Sequence, residues 1–145
     1  MTNTEPRATG VSRILIDEDV IRLRIAEIAR ELDEEYGESA PLLVGVLNGA
    51  ITFMTDLMRA MTVPLEVDFM AVSSYGAATQ SSGVVRILKD LDQEIEGRRV
   101  IVDEDIVDSG LTLQYLLDNL DRRNPADVAV VALLKKDKPD AIQVQ

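Results

Sequence analysis

The chain contains no histidine and no cysteine in its 145 residues. Without cysteine there is no disulfide framework, no thiolate nucleophile and no zinc–cysteine site. Without histidine there is no Ser-His or Cys-His catalysis, and the commonest zinc ligand is gone. Acid–base chemistry is left to Asp, Glu, Lys or Tyr, and the carboxylates that remain suit a hard cation such as Mg2+. Positive charge is also scarce: 15 Lys and Arg stand against 26 Asp and Glu, for a formal net charge of −11. That balance speaks against nucleic acid as a partner, which needs a basic footprint. It leaves anionic small molecules open, because backbone amides and a helix N-terminus bind phosphate even in an acidic protein. No apolar run is long enough to span a bilayer. The opening "MTNTEPRATG" lacks a basic-then-apolar signal pattern, so a loose leader over residues 1–11 and a cytoplasmic location are expected.

What is present is 46% hydrophobic residues, enough for a core and typical of one domain at this length. "VSRILI" (residues 11–16) predicts a short strand, and Asp17 is placed to cap the helix after it. Ile21, Ile25, Ile28 and Leu32 recur at helical spacing until Gly37. "PLLVGVL" is a continuous apolar run, the pattern of a parallel strand buried on both faces. After Asn48 and Gly49, the positions Ala50, Phe53, Met54, Leu57 and Met58 make one helical face. "LEVDFMAV" and "VVRIL" predict strands on either side of a small, polar, mobile loop, Ser73 to Gly83. "RRVIV" predicts a further strand, Leu113, Leu116, Leu117 and Leu120 a helix, and "DVAVVALL" a last strand. Strands alternating with helices on short connections predict an α/β domain with a mainly parallel twisted sheet flanked by helices. Ligands of such sheets bind beyond the carboxyl ends of the strands. Three segments fall there: Leu47-Asn48-Gly49, Asp103 to Thr112, and Lys135-Lys136.

The segment "IVDEDIVDSG" (residues 101–110) places Asp103, Glu104, Asp105 and Asp108 between a strand and a helix. Such crowding is costly unless a cation or hydroxyl groups lie against it. In "DSGLT", the amides of Ser109, Gly110, Leu111 and Thr112 and two hydroxyls can face one anion, and Gly110 lets the backbone come close. On those five residues alone, an ordinary helix start capped by Asp108 or Ser109 is the favoured reading. Adding Glu104 and Asp105, which can accept from a diol or hold Mg2+ directly or through water, makes ribose 5-phosphate a fitting ligand. A solvated acidic turn is the plainer alternative. A phosphorylation receiver domain also carries an acidic strand end. Its acidic pocket follows the first strand, however, whereas this cluster starts at residue 103.

"VIVDEDIVDSGLTL" resembles the phosphoribosyl-pyrophosphate (PRPP) motif of type I phosphoribosyltransferases. With "LVGVLNGAITFMTDLMR", "SSYGAATQSSGVVRILKDLD" and the first helix region, it occurs in the order and spacing of hypoxanthine-guanine phosphoribosyltransferases, from about Ser12 to Pro139. The resemblance implies a Rossmann-like core over residues 12–145 with a flexible hairpin lid. It implies Mg-dependent transfer of 5-phosphoribosyl from PRPP to hypoxanthine or guanine, a purine-salvage reaction of the glycosyltransferase class. Asp108, Ser109, Gly110, Leu111 and Thr112 would bind the 5-phosphate. Glu104 and Asp105 would bind the ribose hydroxyls or the metal, directly or through water. Asp108 would be the general base near purine N7. Leu47, Asn48 and Gly49 would form the pyrophosphate loop, with a non-proline cis peptide. Ser74 and Tyr75 would belong to the lid, and Lys136 would select an oxopurine base through its 6-oxo group. A homo-oligomer, dimer or tetramer, is implied as well.

The sequence departs from the family in three places. Asn48 stands where the family often has a basic residue. Asp103 stands where an apolar residue is usual, so an exposed strand end or an unsettled strand is expected there. After "KPDAIQVQ" the chain lacks the family's base-binding tail, so an incomplete hood is expected. That third departure keeps a non-catalytic PRPP- or nucleotide-binding module as the alternative function.

Overall fold

A computed structural model describes residues 10–75 and 84–137. The elements are α1 (Glu18–Tyr36), β1 (Leu42–Leu47), α2 (Ala50–Ala60), β2 (Glu66–Tyr75), β3 (Val84–Lys89), β4 (Arg99–Val107), α3 (Leu111–Asp121) and β5 (Asp127–Lys135). The sheet order is β3-β2-β1-β4-β5. β1 pairs in parallel with β2 and β4, β4 pairs in parallel with β5, and only β2–β3 is antiparallel. This is the α/β architecture expected from the alternation of elements.

The apolar run of β1 is central because both its faces are covered. Leu43 and Ile101 face one core with Ile25 and Ile28 of α1 and Phe53, Met54 and Leu57 of α2. Leu42, Val44, Val100 and Val102 face the other core with Leu113, Leu116 and Leu120 of α3. Successive strand residues point to opposite faces, so one uninterrupted run feeds both cores. Fully burying one such Leu contributes about 2 kcal/mol. Gly37 ends α1 at φ 51°, and its amide donates to Asp33 O. The Asp33 side chain joins α1 to the end of α2, accepting from the Thr62 hydroxyl at 2.8 Å and from the amides of Thr62 and Val63. Burial acts to raise its carboxyl, and these hydrogen bonds outweigh it and hold the group below its ordinary range.

Three local expectations are corrected. Residues 11–16 are not a strand. Val11, Ile14, Leu15 and Ile16 are exposed, and among the described residues no strand pairs with them. An apolar run becomes a strand only where an edge accepts its amides, and local pattern does not report that edge. Asp17 does occupy the N-cap position of α1, but its side chain makes no capping hydrogen bond. At the β2–β3 hairpin, β2 extends through Ser74 and Tyr75, which pair with Val85 and Val84. These two residues, expected in the lid loop, therefore belong by backbone to the strand. Residues 76–83, the rest of that loop, lie outside the described residues.

The connectivity defines where a ligand fits. From β1 the chain leaves through α2 on one face and reaches β2; from β4 it leaves through α3 on the other face and reaches β5. The carboxyl ends of β1 and β4 therefore open a crevice at a topological switch point.

Candidate active site

The three segments expected at strand ends meet at this crevice. β1 ends at Leu47, and the Leu47–Asn48 peptide is cis, as the resemblance implies. Asn48 and Gly49 are exposed and lead into α2. On the neighbouring strand, Glu104 lines a cavity of about 200 Å3 together with Val46, Ile106, Val107, Asp108, Ser109, Gly110, Thr112 and Leu113.

The floor of that cavity is the start of α3. Gly110 is its N-cap at φ 84°, a left-handed conformation that glycine adopts without strain. The first backbone bond of the helix runs from Gln114 N to Gly110 O at 2.8 Å. The amides of Leu111, Thr112 and Leu113 therefore precede the helical ladder, and Leu111 N makes only a long 3.4 Å contact to Ser109 Oγ. A cradle of amides, two hydroxyls and a helix dipole is what a phosphate dianion requires. Lys136 is brought in from the end of β5. Its amide donates to Val107 O at 2.8 Å, and its ammonium lies 3.5 Å from Asp108 Oδ2. The sheet thus joins two residues 28 positions apart, Asp108 and Lys136, beside the cradle.

The acidic run behaves differently at each position, because β4 continues through it to Val107. Asp103 is fully buried under α2, in register with Gly45 and Val131, and neither carboxylate oxygen has a hydrogen-bond partner. This corrects the expectation of an exposed strand end or an unsettled strand; the strand is intact and the carboxyl is inside it. Burial first, then the charges of Glu104 and Asp105, push its pKa up to about 8. Glu104 turns to the α3 side and is almost buried, and burial followed by the Asp105 charge pushes it up to about 7. Asp105 turns back toward α2; its Oδ1 accepts from Ile106 N at 2.7 Å, and its carboxylate abuts Gly49. Among the described residues no Lys or Arg lies within ion-pair distance of Asp103, Glu104 or Asp105.

Because Glu104 and Asp105 leave opposite faces, they do not form a chelating pair on their own. Among the described residues no group of three Asp or Glu side chains could hold a metal ion. The two carboxylates instead suit a cation or a diol that arrives from outside the protein, reached directly or through water.

One charged group escaped the sequence reading. Asp68 is buried, and its carboxylate accepts from the amides of Phe69, Asp92 and Gln93. Lys89 lies 3.9 Å from it and donates to Phe69 O, Asp90 O and Asp92. The connection after β3 is therefore tied down by side chains, and no signal short of the fold itself identifies Asp68 as its anchor.

The sequence matches the phosphoribosyl transferase domain family over residues 13–142. It is 51% identical over 137 residues to the hypoxanthine-guanine phosphoribosyltransferase of Mycobacterium avium, covering 90% of this chain and 66% of that protein. It is 47% identical over 129 residues to that of Bacillus subtilis, covering 89% of this chain and 71% of that protein. The chain thus spans about two thirds of the length of these relatives. The crystal structure of a hypoxanthine-guanine phosphoribosyltransferase from Bacillus anthracis superimposes with a TM-score of 0.86 at 33% identity, covering 93% of this chain and 80% of that one. A hypoxanthine phosphoribosyltransferase from Staphylococcus aureus gives 0.86 at 34% identity, covering 93% and 73%. Fold, crevice and sequence therefore agree: the chain belongs to the phosphoribosyltransferase family, on its hypoxanthine-guanine branch.

Proposed function

We propose that this chain transfers 5-phosphoribosyl from PRPP to hypoxanthine or guanine, giving IMP or GMP and pyrophosphate. The observation that carries this reading is one cavity holding both the α3 cradle and Glu104, at the β1–β4 switch point. The 5-phosphate takes the amides and hydroxyls from Ser109 to Thr112. The ribose hydroxyls take Glu104 and Asp105. Pyrophosphate lies along Leu47, Asn48 and Gly49, where Asn48 offers hydrogen bonds but no positive charge.

In the reaction, N9 of the base bonds to C1 of the ribose as the bond from C1 to pyrophosphate breaks. Positive charge develops on the sugar beside Glu104 and Asp105, whose oxygens stabilise it. Asp108 takes the proton that leaves N7, and Lys136, 3.5 Å away, donates to the 6-oxo group of the base. Ser74 and Tyr75, at the end of β2, close the site from the hairpin side. Glu104 and Asp105 would hold Mg2+ arriving with PRPP, directly or through water, and the ion would supply charge neutralisation for the leaving pyrophosphate. The exposed apolar side chains of Val11, Ile14, Leu15, Val20 and Leu23 support assembly as a dimer or tetramer. No described helix is long and apolar enough to cross a membrane.

The test is phosphoribosyl transfer from PRPP with Mg2+ to hypoxanthine and to guanine, by the chain and its Asp108→Ala variant. Turnover lowered roughly 10²–10⁴-fold by Asp108→Ala is expected. PRPP binding without turnover in the parent chain would instead favour a non-catalytic PRPP-binding module. Absence of both sinks either reading.

A further inference from the structure

Gly49 has φ −59° and ψ −38°, ordinary right-handed helical values. Any residue adopts them, and an alanine there normally stabilises the chain by restricting its unfolded state. Backbone freedom is therefore not why this position is glycine. Space is: a Cβ built on Gly49 overlaps Asp105 Oδ2 and falls 2.7 Å from Asp105 Cγ and 3.0 Å from Oδ1. Those are the atoms of a carboxylate already held from behind by the amide of Ile106. Backing away would break that 2.7 Å hydrogen bond or carry the group off the strand end. β1 and β4 last pair at Gly45 and Asp103. Beyond that point the two strands part to form the crevice, and the Asp105 side chain bridges back to Gly49.

We propose that Gly49 is a positioning residue for Asp105. The missing side chain at the end of the pyrophosphate loop is the seat that holds the ribose-side carboxylate in place. The proposal rests on the ribose role given to Asp105 above. It assigns Gly49 a second task besides backbone contact with pyrophosphate. It also couples the two halves of the PRPP site, since any shift of the loop at Gly49 is felt by Asp105 through direct contact.

The test is a double-mutant cycle of Gly49→Ala and Asp105→Ala, read by thermal unfolding and by calorimetric titration of PRPP with Mg2+. Gly49→Ala alone is expected to lower Tm and to weaken PRPP binding at least tenfold. In the Asp105→Ala background the same substitution is expected to leave Tm unchanged or raise it, and to weaken PRPP no further. In steady state, Gly49→Ala raises the KM for PRPP and leaves that for hypoxanthine unmoved. Equal effects of Gly49→Ala in both backgrounds overturn the proposal. So does a sign change in Tm without any change in PRPP affinity, because the contact then positions nothing that binding uses. A parent chain that binds no PRPP overturns the functional reading together with this one, and that failure shows before any variant is made.

Discussion

The two ends of β4 carry charge in opposite ways. At its start, Arg99 pairs with Glu35 at 2.9 Å and Asp127 at 2.7 Å, and its guanidinium lies 4.2 Å from the centre of the Tyr36 ring. Those hydrogen bonds, first to Asp127 and then to Glu35, raise its pKa. At the other end of the strand, Asp103, Glu104 and Asp105 follow one another with no cation beside them among the described residues. The first arrangement is complete in the free protein. The second has no such partner among the described residues. The cation-free end, where burial pushes Asp103 up to about 8 and Glu104 up to about 7, is the end at which the proposed site lies.

The most forceful way to disturb that contrast is to remove Asp103, whose carboxyl is the most deeply buried of the three. Its folded pKa of about 8 lies above the ordinary carboxylate value of about 3.9. Between those values the folded chain keeps a proton that the unfolded chain releases, so stability falls as pH rises through this window and levels off above it. Glu104, pushed to about 7, adds a fall in the same direction that ends nearer neutrality. Asp103→Val is therefore expected to stabilise the fold on the order of 5 kcal/mol at pH 8 and far less at pH 4. Urea unfolding at several pH values checks this; a variant with the parent's pH slope removes Asp103 as the source. A smaller effect is expected at the cradle. Thr112→Val keeps the helix and removes one hydroxyl, so PRPP binding weakens about 10-fold with Tm nearly unchanged. Unaltered affinity in calorimetry would take Thr112 out of the phosphate site.

The contrast also separates what the sequence discloses from what it conceals. The strand-then-glycine-then-helix order around Gly110 is written in neighbouring residues, and the cradle follows from it. The buried run of β1 declares a central strand for the same reason, since a continuous apolar stretch has two faces to cover. Asp103 is different. Whether an acid in a strand is exposed depends on what lies over it, here α2 and the row of Gly45 and Val131. Nothing local to residue 103 reports that row. Residues 11–16 fail in the opposite sense: their pattern suits a strand, but the sheet offers them no partner. The Gly49–Asp105 contact spans 56 positions and becomes visible only once β1 and β4 are side by side. Local chemistry is thus legible, and its adjacency is not.

The mildest test lies at the balanced end. Arg99→Ala removes both ion pairs and the contact over Tyr36, and leaves Glu35 and Asp127 facing solvent. The pair partners Glu35 and Asp127 are 66% and 44% exposed, and solvent screens such pairs strongly. Tm is expected to fall by only a few degrees, and less in 1 M salt, where the Debye length is about 3 Å. PRPP affinity and the KM values are expected to stay at parent levels, because the site lies at the opposite end of the same strand. If Arg99→Ala instead weakens PRPP binding, the two ends of β4 are coupled through the strand. The balanced cluster would then belong to the function of the unbalanced one rather than standing apart from it.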